Sequence, residues 1–226
     1  MAALNIKNLP TGAGDDFKID ASYAKGDTKN VISTAATSPN FAMFGGSNKA
    51  YQSIGFGQTS DAVYLPAGLA AGGGGLAGIG GGTGNIKLVE SYGVRGAFNH
   101  NWDPYWSSSL FGSAAAVRYG GSSTDITSGK GAWCASYIAS NKLAAAGATS
   151  ADFSCNPDYN VYEVGVVTRW TPVKNLTFSA EVLYFHLDQK FTGTAVLTPS
   201  APKPTTSYEF KDQDTVALNV RVQRNF

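Results

Sequence analysis

The feature that most constrains this chain is a period-two alternation of apolar and polar side chains, which recurs in several separate segments. The clearest example lies between Tyr159 and Trp170, and a second follows between Leu176 and Tyr184 after a turn at 171–175. Successive side chains of a β-strand point to opposite faces, so this period predicts strands rather than helices. The two segments together predict a β-hairpin with a tight connection.

The last segment repeats the pattern, with Arg224 as the one exception on its apolar face. Its apolar face carries Val216, Leu218, Val220, Val222 and Phe226, and its polar face carries Asn219, Arg221, Gln223 and Asn225. Further strands are predicted at 4–7, 17–23 and 91–98, and a weaker one at 105–119. The pattern thus predicts about seven strands, and the region 50–64 is a candidate for more.

The connections between these strands alternate in length. Short connections are predicted at 10–14, 99–104 and 171–175, and long ones at 27–85, 120–158 and 188–212. Such alternation places short turns at one end of a barrel and long loops at the other, as in outer-membrane barrels. We therefore predict an all-β fold, a transmembrane antiparallel β-barrel with long extracellular loops.

The two faces of the predicted strands differ in chemistry. Aromatic residues lie near strand ends on the apolar face, where they are expected to form a girdle at the membrane surface. These residues are Tyr92, Phe98, Tyr162, Trp170 and Tyr184. Charged residues take the opposite face, where they are expected to line a water-filled pore. These residues are Lys18, Asp20, Arg95, Glu163, Arg169, Glu181 and Arg221. The alternatives are a soluble sandwich whose aromatics fill a core, and a solvated outer sheet face.

Composition excludes several classes of protein. Charged residues make up 15% and the net charge is +1, which is too balanced for nucleic-acid binding. No run approaches the roughly 20 apolar residues of a spanning helix, so a helical membrane protein is excluded. The segment Met1 to Lys7 has neither a basic nor a long apolar region, so the chain as written is expected to carry no export signal. Two cysteines, Cys134 and Cys155, share one polar segment, which fits a loop-bridging pair in an oxidising compartment, with two free thiols as the alternative.

Four stretches resemble the C-terminal half of the porins of alphaproteobacteria: Leu9 to Asp16, Val94 to Pro104, Cys155 to Asp158, and Gln223 to Phe226. The resemblance implies that residues 1–226 are the C-terminal portion of a sixteen-stranded barrel whose signal peptide and N-terminal strands are missing. It implies a trimer in the bacterial outer membrane, and a channel for passive diffusion of ions and small hydrophilic solutes.

The resemblance also assigns roles to individual residues. It implies that Cys134 and Cys155 form a disulfide that closes a surface loop. Outer-membrane barrels of this kind end in an aromatic residue preceded by alternating apolar residues, which the barrel assembly machinery recognises. In this chain the assembly signal is expected to comprise Leu218, Val220, Val222 and Phe226.

Rival functions find little support in the sequence. Only His100 and His186 are available as a catalytic base, and no G-x-S-x-G nucleophile motif accompanies them, so we expect no enzyme, cofactor or metal site. The run Gly72–Gly84 contains one G-x-G-x-x-G match without the strand, helix and acidic residue that give it meaning, and is expected to be a flexible surface loop. The alternatives left open are a small closed barrel that acts as an anchor or adhesin, and a soluble carbohydrate-binding β-sandwich.

Overall fold

A computed structural model describes residues 1–32, 40–65 and 84–225. Thirteen strands and two helices occur in these ranges. In chain order they are β1 (Ala2–Lys7), β2 (Asp16–Lys25), α1 (Lys29–Ile32), β3 (Asn40–Gly45), β4 (Gln52–Gln58), β5 (Ala62–Tyr64), β6 (Ile86–Leu88), β7 (Glu90–Asn101), β8 (Trp106–Arg118), α2 (Gly129–Ser140), β9 (Tyr159–Val173), β10 (Leu176–Gln189), β11 (Thr194–Leu197), β12 (Thr206–Phe210) and β13 (Gln213–Arg224).

Seven strands form one antiparallel sheet, here called the wall, in the order β1, β2, β7, β8, β9, β10, β13. Each of them pairs with the next wall strand along the chain, so the wall is an up-and-down meander, which is the topology of membrane barrels. Within the described residues the outer strands β1 and β13 do not pair, and the sheet is therefore not closed. All seven predicted strands, the all-β class and the antiparallel arrangement are confirmed.

Two of the predicted short turns are shorter in the structure than in the prediction. β7 continues to Asn101, and β9 continues to Val173, which leaves only Lys174 and Asn175 in the last turn. Asn175 adopts a φ of 67°, a conformation that asparagine tolerates better than most residues. The register shifts where Thr171 and Pro172 lie opposite Thr177, because proline cannot donate a ladder hydrogen bond.

The three long connections lie together at the other end of the wall, which we call the loop end. The segment 26–89 carries α1 and β3 to β6, the segment 119–158 carries α2, and the segment 190–212 carries β11 and β12. β11, β12, β4 and β3 form a second sheet in that order, and β5 pairs with β6. The predicted loop Gly72–Gly84 lies outside the described residues except for Gly84.

The second sheet and α2, together called the cap, enclose the hydrophobic core of the molecule. Aromatic rings from all three long connections meet there, and Phe191 lies within 6 Å, centroid to centroid, of four of them. The rings packed on Phe191 belong to Phe56, Trp133, Tyr137 and Phe210. A disulfide joins Cys134, in the middle of α2, to Cys155 near the end of the same connection, which confirms the predicted bond.

The cap rests on the inner face of the wall at its loop end. The ring of Phe41 in β3 stacks on Phe185 of β10 at 5.6 Å, and Gly57 of β4 lies against the ring of Tyr159. The side chain of Gln213 donates from Nε2 to Ser53 Oγ at 2.9 Å and fixes β4 to the first residue of β13. Because this packing covers only the loop end, the inner face nearer the short turns carries no such cover from the described residues.

In the described ranges neither helix is long or apolar enough to cross a membrane.

Candidate pore wall and inner cavity

The outer face of the wall exposes apolar side chains over its whole width. Val94, Leu110, Val164, Val182 and Leu218 are each between 44% and 68% exposed, on five strands. Burying such residues fully is worth about 1.5–3 kcal/mol each, so a soluble protein would be expected to cover them. The face is therefore suited to contact a hydrocarbon environment.

Aromatic residues lie at both margins of this apolar face. Near the turns, Trp170 packs against Trp106 at 5.7 Å and Phe178 at 5.4 Å. Near the loops lie the predicted girdle tyrosines, Tyr92, Tyr162 and Tyr184, all exposed. Tyr162 and Trp170 are eight residues apart on one strand, which corresponds to about 26 Å along it and is comparable with an apolar band of about 25 Å. Phe98 lies on the same face, with its ring stacked on His100.

The register places all seven predicted pore residues on the inner face. Asp20 pairs with Arg95, Arg95 with Ser113, and Ser113 with Glu163, so these four form one row across β2, β7, β8 and β9. Arg169 and Arg221 flank Ser179 in a second row nearer the turns. Glu181 and Lys18 also belong to this face, and Glu181 accepts a hydrogen bond from Asn219 Nδ2 at 2.9 Å.

Several inner charges are paired with one another. Arg95 Nε donates to both carboxylate oxygens of Asp20, at 3.0 and 2.8 Å, and Lys18 Nζ lies 2.9 Å from Asp16 Oδ2. Both basic side chains are more than half exposed, so the pairs fix geometry more than they stabilise the fold. Glu163 has no hydrogen bond or counter-ion among the described residues.

A chain of hydrogen bonds crosses the inner face near the turns. Arg169 Nη1 donates to Ser109 Oγ at 2.7 Å, and Ser109 donates to Asn99 Oδ1 at 2.6 Å. Asn99 in turn donates from Nδ2 to Asp16. These bonds hold Arg169 against the wall, so its charge occupies a defined position on the inner surface.

A cavity of about 670 Å³ lies between the inner face and the first long connection. Its floor consists of small residues on β7 and β8, including Gly93, Ser113 and Ala115, and α1 closes over it. A Cβ added to Gly93 would lie 3.1 Å from Val31 Cγ1. The lack of a side chain at Gly93 therefore allows α1 to pack closely on the wall. The sequence patterns gave no sign of this cavity, because its roof comes from a segment without alternation.

The turn between β1 and β2 holds a completely buried carboxylate, Asp15. It accepts hydrogen bonds from Thr11 Oγ1 at 2.6 Å and from the backbone N–H of Asn101 at 2.9 Å, and it lies 2.7 Å from His100 Nδ1. The hydrogen bond from Thr11, with smaller contributions from Asn101 and His100, outweighs burial and lowers the pKa of Asp15 to about 2. Two of the stretches that resemble porins, Leu9 to Asp16 and Val94 to Pro104, are thereby joined by this carboxylate.

Both histidines interact with aspartates. His186 Nδ1 lies 2.7 Å from Asp214 Oδ1 on the outer face, and Tyr184 donates to the same oxygen. His100 interacts with Asp15 in the same way. Within the described residues no serine or threonine hydroxyl is hydrogen-bonded to either ring.

A family model for the porin subfamily matches residues 1–219 of the chain. No curated protein and no solved structure matches it. The match spans almost the whole sequence. It includes every strand of the wall except the last five residues of β13. It agrees with the open antiparallel wall, the short turns at one end and the long connections at the other. The chain therefore belongs to the porin subfamily.

Proposed function

We propose that this chain forms part of a water-filled channel through the bacterial outer membrane, through which ions and small hydrophilic solutes diffuse passively. Family membership supports a porin role in outer-membrane diffusion. The observation that carries the channel proposal is the segregation within single strands. On β9, for example, Tyr162, Val164 and Val166 are exposed on one face while Glu163 and Arg169 occupy the other. Lipid on one side and water on the other account for both faces.

The seven strands are proposed to be the C-terminal portion of a sixteen-stranded barrel that assembles into trimers. The open wall supports the presence of additional strands, because an unpaired strand edge in lipid costs several kcal/mol for each unsatisfied backbone group. Further strands between β1 and β13 would satisfy these groups. The seven inner charges would then line the pore, and the aromatic margins would meet the lipid headgroups.

The last wall strand is proposed to present the signal that the barrel assembly machinery reads. Leu218, Val220 and Val222 are between 60% and 73% exposed on the outer face of β13, which leaves them free for recognition. Phe226, the proposed final residue of this signal, lies outside the described residues.

The two rival architectures account for less of the structure. A small closed barrel requires β1 and β13 to pair, and they do not pair in the described chain. A soluble sandwich requires a second sheet over the apolar face of the first, whereas the cap covers part of the inner, charged face. The cap resembles the packed interior expected of an anchor. Whether the lumen near the turns holds water or packed side chains therefore decides between a channel and an anchor.

Planar-bilayer recording tests the proposal directly. The chain is refolded in detergent micelles, added to a bilayer, and examined for single-channel steps. Stable ohmic steps would support the channel. A folded, detergent-soluble β-protein without conductance would favour the anchor, and aggregation without conductance would indicate that the wall needs additional strands.

A further inference from the structure

The cavity under α1 combines two properties that a simple aqueous pore does not need together. Its charged lining consists of Lys18, Asp20, Arg95 and Glu163, two cations and two anions. Its roof and side wall are apolar, with Val31, Ile32, Phe41 and Phe185. Because the charges balance, the cavity has no net preference for anions or cations, but it offers a separated pair of opposite charges beneath an apolar surface.

The positive end of this pair is the Arg95 guanidinium. Asp20 contacts only its Nε, so neither terminal Nη group hydrogen-bonds to any described residue. The edge formed by two Nη groups is the edge with which arginine binds a carboxylate in a bidentate manner. Asp20 therefore holds the side chain in place while a second carboxylate-binding edge remains available.

The negative end is the Glu163 carboxylate, which has neither a counter-ion nor a hydrogen bond in the described chain. Ser113 lies between Arg95 and Glu163 in the strand register, so the two charges are anchored two strands apart. Adjacent strands are about 4.8 Å apart, which separates the two anchor points by about 10 Å. The small residues Gly93, Ser113 and Ala115 form the floor of the cavity beside them, and Val31 of α1 packs over Gly93.

We propose that this cavity binds short zwitterionic peptides with apolar side chains, about three residues long, and so gives the channel a preference for this class of solute. The inference rests on the proposed channel function and deepens it. An extended chain spans about 3.5 Å per residue, so a tripeptide matches the spacing of the two anchor points on the sheet. Its terminal carboxylate binds the free edge of Arg95, its terminal ammonium binds Glu163, and its side chains contact Phe41 and Ile32.

Calorimetric titration of the refolded chain in micelles with Ala-Phe-Ala tests the inference without requiring conductance. Two matched ligands, the N-acetylated and the C-amidated tripeptide, each lack one charge. We expect the free tripeptide to bind, and either modification to weaken binding about tenfold, because one charge-assisted contact is lost. Absence of binding, or equal binding of all three peptides, would overturn the inference.

Variants assign each end of the ligand to its partner. In Arg95→Gln the free and amidated peptides should bind equally while acetylation still weakens binding, and in Glu163→Gln the reverse should hold. Ser113→Leu fills the space between the two charges and should abolish binding of all three peptides. Far-UV circular dichroism of each variant establishes that the wall has folded.

Glu181→Gln is the matched control, since Glu181 lies on the same inner face but does not line the cavity. It should retain both end-group effects. An effect equal to that of Glu163→Gln would show that diffuse lumen charge, rather than the cavity, attracts the peptide, and would overturn the inference. Conductance recorded on the same preparations separates the two proposals, because a channel that conducts but binds no tripeptide contradicts only this inference.

Discussion

The two ends of the wall hold together by different means. At the turn end, short connections are fixed by hydrogen bonds to polar side chains, of which the buried Asp15 makes the most. At the loop end, three long connections share an aromatic core around Phe191, and a disulfide between Cys134 and Cys155 closes the second of them. The turn end is thus a local structure, whereas the loop end is assembled from segments far apart in the chain.

Under the proposed function, the difference accounts for how one sheet can face lipid on one side and an aqueous lumen on the other and still belong to a stable fold. A wall with one face toward lipid and the other toward water has no face left for a hydrophobic core. The core of this molecule therefore lies between the cap and the loop end of the wall, which contributes Val117, Tyr159, Val161 and Leu187, and the inner face nearer the turns retains its charges. Four predictions test this division, from the largest expected effect to the smallest.

The largest effect is expected from Phe191→Ala, which removes the ring that four other rings of the cap contact. Phe191 is 3% exposed, and such a truncation costs about 3–5 kcal/mol of unfolding free energy. Guanidinium unfolding followed by near-UV circular dichroism measures the loss. Phe178→Ala, on the outer face, is the matched control and should cost much less. Equal losses for the two variants would contradict a core confined to the loop end.

The double variant Cys134→Ser/Cys155→Ser should destabilise the cap by about 2–4 kcal/mol, because the disulfide no longer restricts the unfolded chain. Limited proteolysis should then cut within 119–158 while the wall strands stay intact. Reduction of the unaltered protein should reproduce this pattern. If the cleavage pattern is unchanged, the aromatic packing alone holds the cap closed.

Asp15 should make the turn end sensitive to acid. Its pKa is lowered from 3.8 to about 2 in the folded protein, so its contribution is complete above about pH 4 and disappears as the pH falls to about 2. Thr11→Val removes the hydrogen bond that lowers the pKa most and should move the acid transition to higher pH. Melting temperatures measured across this range, with Asp15→Asn as reference, test the assignment. A pH profile of Asp15→Asn identical to that of the unaltered protein would contradict it.

The smallest effect is expected for Arg169→Ala or Arg221→Ala in a conducting channel. Loss of one positive charge on the inner face near the turns should increase the preference for cations. The reversal potential in a salt gradient measures this shift. Lys174→Ala, in the two-residue turn beyond the wall, removes the same charge outside the lumen and should leave the potential nearly unchanged. An unchanged potential in both arginine variants would place their charges outside the ion path.

Sequence alone predicted the wall well because alternation is a local signal. The faces of Tyr162, Glu163 and Arg169 follow from parity within one strand, and the register of the hairpin carries that parity to its neighbours. The turn was predicted to begin at Thr171, three residues before its observed start at Lys174, since Pro172 suggested the end of a strand whereas it lies at a bulge within one.

The cap and the buried carboxylate could not be predicted in the same way. Phe41 stacks on Phe185, and Asp15 contacts His100 across 85 positions of sequence, so neither contact has a local pattern. The aromatic residues in the long connections, Phe56, Trp133 and Phe191 among them, were a usable signal. Polar solvent-exposed loops do not need so many large apolar side chains, and their abundance indicated a core.

The parallel pairing of β4 with β12 imposes an order on how this molecule is assembled. Gln52 pairs with Tyr208 and Ile54 with Phe210, although the wall strands β7, β8, β9 and β10 separate the two segments along the chain. Contacts between segments this far apart in sequence carry a high loop-closure entropy, which is smaller once the intervening hairpins have formed, so we expect these contacts to form late. The first and last long connections can meet only when both have reached the same side of the wall. We therefore expect the cap to close after the intervening hairpins have formed, and its closure then holds the two ends of the chain's long connections together.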